Sequence, residues 1–311
     1  MAVGPVSVAR SAPLAGRVAS GRGRLLEREA VFSWVMLAPG VLFLLAFVAY
    51  PFFYGIFLSF QDRRVASTGT FVGLANFAAL AQDAVFWQVT RNTFIYTIAA
   101  TALKMVGGLG MALVMHQQFR GKNVARAFLL LPFIVPTVLS TVAWMWILDP
   151  TFSVINWTLR HSGLMTENFS WLGNASLAMV SIIGVNTWRG LPFYGITLLA
   201  GLQTISPDLY EAAAIDGATL SQRFWHITIP VLKPVLIIVT MFSVIFTFSD
   251  FQLPYILTHG GPANATHLFA TYAFDIGMSA GVLGMGAAVA LAMLPPLALL
   301  IVALTLYLRR E

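Results

Sequence analysis

The chain has 311 residues, 58% hydrophobic and 10% charged, with no cysteine and a formal net charge of +6. Soluble domains carry about 25% charged residues, so the composition is that of a polytopic membrane protein, and the missing cysteine excludes disulfides and thiolate metal sites. The basic residues sit in tails and short loops beside apolar runs, which is a membrane-orientation signal and gives no reason to expect nucleic acid.

Residues 1–30 are rich in Gly, Ala and Ser and carry Arg10, Arg17, Arg22, Arg24 and Arg28, a composition unable to bury a core. They read as a disordered basic cytoplasmic tail. The apolar run over 31–60 is too long for a signal-peptide core, continues through Tyr50-Pro51, and reads as a retained first span, overlong and therefore tilted or partly interfacial. Further spans are expected at 92–116, 127–148, 176–202, 235–257 and 284–308, each near the ~20 helical residues that cross a bilayer core. The fold class is all-α, with six transmembrane helices.

Lys and Arg outside those spans divide unequally. The five tail arginines fall on one side with Arg120, Lys122, Arg126, Arg223, Lys233, Arg309 and Arg310; Arg63, Arg64, Arg91 and Arg160 fall on the other. That asymmetry predicts both termini in the cytoplasm and puts the loop 206–234 there too. Within the segment 258–283, residues 264–283 are moderately apolar but hold His267, Asp275, Gly277 and Gly281. An external re-entrant or interfacial helix is expected, because a seventh span would carry Arg309 and Arg310 outside.

The loop 206–234 is the longest water-compatible stretch of the second half. Ser206 is an N-cap, Pro207 fits the first helical position, and Asp208 and Glu211 complement the helix dipole. Gly217 suits a left-handed helix end, after which Leu220, Phe224 and Ile227 fall on one face of a second short helix that Pro230 and Pro234 should stop. The two helices form a compact knob with small Ala212 and Ala213 on one arm.

Glu211-Ala212-Ala213, three residues, Gly217, nine residues, then Ile227-x-Ile229-Pro230 resembles the cytoplasmic loop motif of membrane subunits of bacterial binding-protein-dependent ABC importers, with Ile229 where Leu is usual. Phe71-Val-Gly-Leu-Ala-Asn-Phe77, Tyr50-Pro51, Ser59-Phe60 and His259-Gly-Gly-Pro262 occur in the order found in the carbohydrate-uptake branch, the maltose and glycerol-3-phosphate importer type. The resemblance spans about residues 35–308, and the additional spans and large external insertion of the best-known maltose subunit are missing.

It implies a type I importer permease domain over 31–308 in a bacterial cytoplasmic (inner) membrane. It also implies a second, homologous permease, an ATPase dimer that holds the ATP and Mg, an extracytoplasmic binding protein, surrounding lipid, and no cofactor in this chain. Glu211, Ala212, Ala213, Asp216, Gly217, Phe224, Ile227 and Pro230 become the candidate ATPase-coupling residues. Glu211 retains a plainer reading as helix-dipole compensation.

No catalytic motif is present. There is no Gly-x-Ser-x-Gly, Gly121-Lys122 has His116 where a P-loop needs its first glycine, and His116, His161, His226, His259 and His267 lack metal-ligand spacing. The chain is not expected to be an enzyme or to hold a metal.

Ionisable residues inside spans are candidates for function. Lys104 and Arg189 lie near mid-membrane; Ser243, Thr247 and Asp250 make one polar stripe. Placed on the family's Gly-Gly-Pro, that stripe falls where the maltose-type permease lines its sugar site; an internal ion pair of Asp250 with Arg189 or Lys104 is the competing reading. Trp188, Tyr194, Phe246, Phe248 and Phe251 supply aromatic faces for a sugar, or simply face lipid. An ion-coupled transporter or channel with a Lys104/Arg189/Asp250 path is the alternative function.

Overall fold

The computed structural model describes the backbone of residues 21–309, so residues 1–20 of the predicted 1–30 tail lie outside the described residues, and 21–30 are helical where disorder was expected. The chain divides into two compact units, residues 1–54 and residues 55–311, described separately here. The first unit is helical from Gly21, ten residues before the expected span. It comprises α1 (Gly21–Leu44), a π-turn over Leu45–Ala49, and the first residues of α2 (Tyr50–Ser59). Its large apolar side chains, among them Trp34, Leu42, Phe43 and Phe47, are exposed.

The second unit begins in α2. Strands β1 (Gln61–Asp62) and β2 (Thr70–Phe71) pair antiparallel, Gln61 opposite Phe71. Asn76, on α3 (Ala75–Gln82), donates through Nδ2 to the carbonyls of Ser59 and Gln61 at 2.8 and 2.9 Å, and Phe77 meets Phe60 at 5.5 Å. The Phe71–Phe77 motif is thus a self-bonded clasp closing the end of α2.

Asp83 caps α4 (Ala84–His116) by accepting from the Val85 N–H at 2.8 Å. The helix therefore starts eight residues before the expected 92 and takes Arg91 into its first turns. The expected span at 127–148 is two helices, α5 (Lys122–Ile134) and α6 (Thr137–Ile147), bent by 96°. Pro136 explains the break, since it pushes Val135 out of the α region into extended backbone (ψ 131°). After α7 (Val154–His161), Asn174 caps α8 (Ala175–Leu202).

α9 (Pro207–Ile215) and α10 (Leu220–Arg223) lead through a π-turn, Phe224–Thr228, into α11 (Ile229–Phe248). Pro230 and Pro234 do not stop the helix as expected: Leu220–Phe248 is one helical run. A proline ring clashes with the carbonyl four residues back, and here the wide turn lies immediately ahead of it, with the Ile229 N–H bonding the Phe224 carbonyl. Pro51 follows the π-turn at Leu45–Ala49 in the same register.

The expected span 235–257 is also interrupted, ending at Phe248 and resuming as α12 (Gln252–Thr258). Segment 264–283 forms α13 (Phe269–Phe274) and a π-turn to Ser279, too short to cross, with Thr266, His267, Leu268, Phe269, Thr271 and Tyr272 buried. Residues 266–272 belong to the protein core, whereas Asp275 and Met278–Ala280 are exposed. α14 (Leu283–Ala292) and α15 (Leu294–Arg309) complete the chain, together matching the expected last span.

Four described helical runs, five counting the bent α5–α6 pair, are long and apolar enough to cross a membrane. α8 is not among them. At 28 residues it is long enough, but Ser181, Asn186, Thr187 and Arg189 lower its hydropathy, and those groups are tolerable because the helix is buried in protein.

α4 and α8 form the central pair. Their contact is close because Gly108 presents no Cβ, which would otherwise collide with the Tyr194 side chain. One apolar cluster gathers Tyr96, Ile182, Val185 and Leu253 toward one end of the pair; a second gathers Met115, Leu198, Leu202 and Leu232 toward the other. The buried polar residues Lys104, Asn186 and Thr247 lie in between.

Candidate functional site

Between those clusters lies a cavity of about 720 Å³. α4 contributes Lys104, α5 Phe133, α8 Asn186, Arg189, Gly190, Phe193 and Tyr194, and α11 Ser243, Phe246 and Thr247. The break after α11 adds Ser249, Asp250 and Phe251, and α12 adds Gln252. The cavity depends on that break: an uninterrupted helix would leave no irregular backbone here to turn Asp250 and Phe251 toward α8.

A hydrogen-bonded layer crosses the cavity wall. Lys104 Nζ donates to Asn186 Oδ1 at 2.9 Å and to Thr247 Oγ1 at 2.7 Å. Asn186 Nδ2 donates to Asp250 Oδ2 at 3.0 Å, the same oxygen that accepts from the Tyr96 hydroxyl at 2.7 Å, and Asp250 Oδ1 accepts weakly from the Leu253 N–H at 3.4 Å. The expected direct ion pair of Asp250 with Lys104 or Arg189 does not form. Asn186 stands between the opposite charges as acceptor from one and donor to the other, so each is satisfied without their meeting. Gly190 makes room for this layer, since a Cβ there would strike the aliphatic stem of Lys104.

Of the residues singled out from sequence, Lys104, Arg189, Tyr194, Ser243, Phe246, Thr247, Asp250 and Phe251 come together in the cavity lining. Trp188 does not. It turns to α6 and meets Trp144 edge-on at 5.4 Å, because a neighbour of Arg189 in a helix points about 100° away from it. Phe248 is fully buried in a third apolar cluster, away from the lining. Asn186, Tyr96 and Gln252 were missed. Asn186 was findable, three residues before Arg189 on the same helical face; Tyr96 was not, since 154 residues separate it from Asp250.

The loop joining α8 to α11 is built locally. The Ser206 side chain accepts from the Asp208 N–H at 3.3 Å. Gly217 adopts φ +78°, and the Ala218 N–H closes on the Ala213 carbonyl at 2.8 Å. Thr219 and Gln222 form a reciprocal capping box that opens α10, and Arg223 Nε donates to the Ala218 carbonyl at 2.9 Å, locking the corner. Tyr210 and Thr228 hydroxyls meet at 2.9 Å, tying α9 to the π-turn.

Glu211, Ala212, Asp216, Gly217 and Pro230 are exposed, whereas Ala213, Phe224 and Ile227 are half-buried. Ala213, Asp216, Gly217 and Ile227 line a shallow cleft of about 360 Å³ with Arg223 and His226. Leu220 departs from the expected inner face. It is 81% exposed, and Ile215 and Trp225 are exposed as well.

His259-Gly-Gly-Pro262 is a tight loop fastened to α4. Gln88 and Asn92 donate to the carbonyls of Ala263 and Asn264 at 3.1 and 2.9 Å, and a Cβ on Gly260, at φ +83°, would enter the His267 ring. Burial holds the His267 imidazole below its ordinary pKa, with Asp275 opposing. Burial and the neighbouring Asp83 push the Tyr272 hydroxyl, which donates to Asp83 Oδ2 at 2.6 Å, well above its ordinary value.

Residues 104–311 match the family described as binding-protein-dependent transport system inner membrane component. The trehalose/maltose transport system permease protein MalF of Thermococcus litoralis is 35% identical over 269 residues, covering 86% of this chain and 90% of that one. The sulfoquinovosyl glycerol transport system permease protein SmoG of Agrobacterium fabrum is 32% identical over 267 residues, 85% and 86% of the two chains. Among solved structures, a bacterial ABC transporter involved in import of the acidic polysaccharide alginate superposes with a TM-score of 0.80 over 92% of this chain and 99% of that one, at 21% identity.

Proposed function

The chain belongs to the family of binding-protein-dependent transport system inner membrane components, and from that premise we propose that it is the permease subunit through which an ATP-driven importer passes a carbohydrate across the inner membrane. It is a transport subunit and not an enzyme. A second, homologous permease, an ATPase dimer holding ATP and Mg, and an extracytoplasmic binding protein complete the assembly in this reading. α8 serves as the sixth crossing, with both termini in the cytoplasm.

The observation that carries the proposal is connectivity. α8 and α11 supply most of the cavity wall, and the chain between them is the loop over 206–228. Displacement of that loop by a closing ATPase pair is delivered straight to both helices, and each is rigid over its buried length. Two packed arrangements of α8 and α11 around one cavity constitute alternating access. Glu211, Ala212, Ala213, Asp216 and Gly217 form the docking face, with Leu220 and Trp225 supplying its apolar contact area.

The cavity suits a sugar by chemistry as well as size. Ser243, Thr247, Ser249 and Gln252 offer hydroxyl and amide groups, and Phe133, Phe193, Phe246 and Phe251 offer apolar faces. The names of the relatives, trehalose/maltose and sulfoquinovosyl glycerol permeases, support the same class. An ion-coupled carrier is disfavoured by family membership.

Purification through a C-terminal tag in mild detergent, with mass spectrometry of the accompanying chains and uptake of labelled oligosaccharide in proteoliposomes, tests the proposal. A P-loop ATPase and a second permease should co-purify, and uptake should require ATP. Uptake driven by an ion gradient with no ATPase chain present would overturn it.

A further inference from the structure

Lys104, Arg189 and Asp250 are the three charged side chains of the cavity lining. Two of them are held by hydrogen bonds within the protein. Lys104 donates to Asn186 and Thr247, Asp250 accepts from Asn186, Tyr96 and the Leu253 N–H, and Asn186 links the two.

Arg189 is different. It has no hydrogen-bond acceptor among the described residues, and its Nε is buried without a partner. The carboxylate nearest in kind, Asp250, has one oxygen saturated by Tyr96 and Asn186 and the other turned to the start of α12. One carboxylate faces two cations, so the lining carries a net positive charge, and Arg189 is the cation without a hydrogen-bond acceptor.

Arg189 is half-buried, with its Nε enclosed and given no acceptor by the protein, an unmet donor that a ligand oxygen in the cavity would satisfy. Its planar fork of donors matches two oxygens on one atom, as in a carboxylate or a sulfonate, better than separate hydroxyls set at sugar-ring spacing. Ser243, Thr247 and Gln252 lie in the same lining and are suited to the hydroxyls of the remaining molecule.

We infer that Arg189 is the specificity-determining contact of this cavity and that the carbohydrate it receives bears an anionic group, paired two-point with the guanidinium. This rests on the carbohydrate reading above and narrows it. Lys104, Asn186 and Asp250 are positioning residues. They hold α4, α8 and the break after α11 in register, and they occupy the Asp250 oxygens so that Arg189 makes no hydrogen bond to them.

The test uses the assembled, detergent-solubilised transporter and two matched probes, a glucuronate-terminated disaccharide and its neutral glucose counterpart. Affinity is measured by calorimetry, and ATP-driven uptake is followed for the same pair. The acidic sugar should bind at least about tenfold more tightly, a difference typical of one charge-assisted contact. Arg189→Gln should abolish the preference, and Arg189→Lys should keep part of it.

Equal affinity for the two probes in the unaltered protein would overturn the inference, as would an Arg189→Gln variant that weakens both alike. The ratio in the unaltered protein decides the matter should Arg189→Gln fail to assemble. Import of neutral sugar without preference sinks the anionic assignment alone; failure to bind or import either sugar sinks the carbohydrate reading with it.

Discussion

The cavity layer and the loop that joins α8 to α11 are both polar features of an apolar chain, yet they are held together in opposite ways. Every bond that shapes the loop corner joins near neighbours: Thr219 with Gln222, Arg223 with Ala218, Ala218 with Ala213. Bonds of the cavity layer join residues 64 to 154 positions apart. The loop can keep its shape while α8 and α11 move; the layer cannot survive their separation. A rigid local knob attached to a wall held by long-range contacts is what transmission of a push requires.

The largest effect should come from breaking the layer. Lys104→Met removes one of the two cations facing buried Asp250 and the donor shared by Asn186 and Thr247, and should cost about 3–5 kcal/mol, seen as a drop on the order of 10 °C in the thermal midpoint in detergent. The double variant Lys104→Met/Asp250→Leu should recover much of that loss, because it removes both charges. If the double variant is no better than the single, the two charges are not coupled through Asn186.

Next comes the α4–α8 contact. Gly108→Val forces a side chain into Tyr194 and should destabilise by about 1–3 kcal/mol, with sugar uptake falling alongside the thermal midpoint. Gly110, whose Cβ would meet nothing within 4 Å, is the control, and Gly110→Ala should be close to neutral.

In the loop, Thr219→Ala removes the capping box and should cost about 1 kcal/mol of local stability. Its signature is a separation of functions: ATP-driven uptake falls while affinity of the cavity for sugar is unchanged. A parallel loss of both would mean that the loop and the wall are one cooperative unit.

The smallest effect is a pH dependence from His267. Its pKa is lowered in the folded protein, so the neutral ring contributes stability that is complete above about pH 6.5 and is lost as pH falls toward the lowered value. The thermal midpoint should therefore decline between pH 7 and 5, and His267→Gln should flatten that decline.

Much of the loop was legible because its signals act over a few residues. Ser206, Pro207 and Gly217 each specify backbone shape within their own turn, and they appear where the spacing placed them. Pro230 misled because a proline is a stop only when the preceding turn is α-helical, and the π-turn at Phe224–Thr228 removes that condition. The mid-span breaks were half visible: Pro136 could have been read as one, whereas nothing in Ser249-Asp250 by itself ends a helix. Polar residues in apolar helices marked the cavity, but not which of them pair. Asn186 reads as an ordinary polar residue until Lys104 and Asp250 arrive on either side of it.

Composition, hydropathic period and short-range turn chemistry determined that this chain is helical and membrane-embedded, with a knob of two short helices, because those properties depend on neighbours in sequence. Tertiary structure alone decided the break after Phe248, the core position of residues 266–272, and which of the three intramembrane charges are hydrogen-bonded to the protein and which, Arg189, is not. Charge pairing in a low-dielectric interior depends on distances set by the packing of α4 against α8 and α11, and no local pattern encodes those distances.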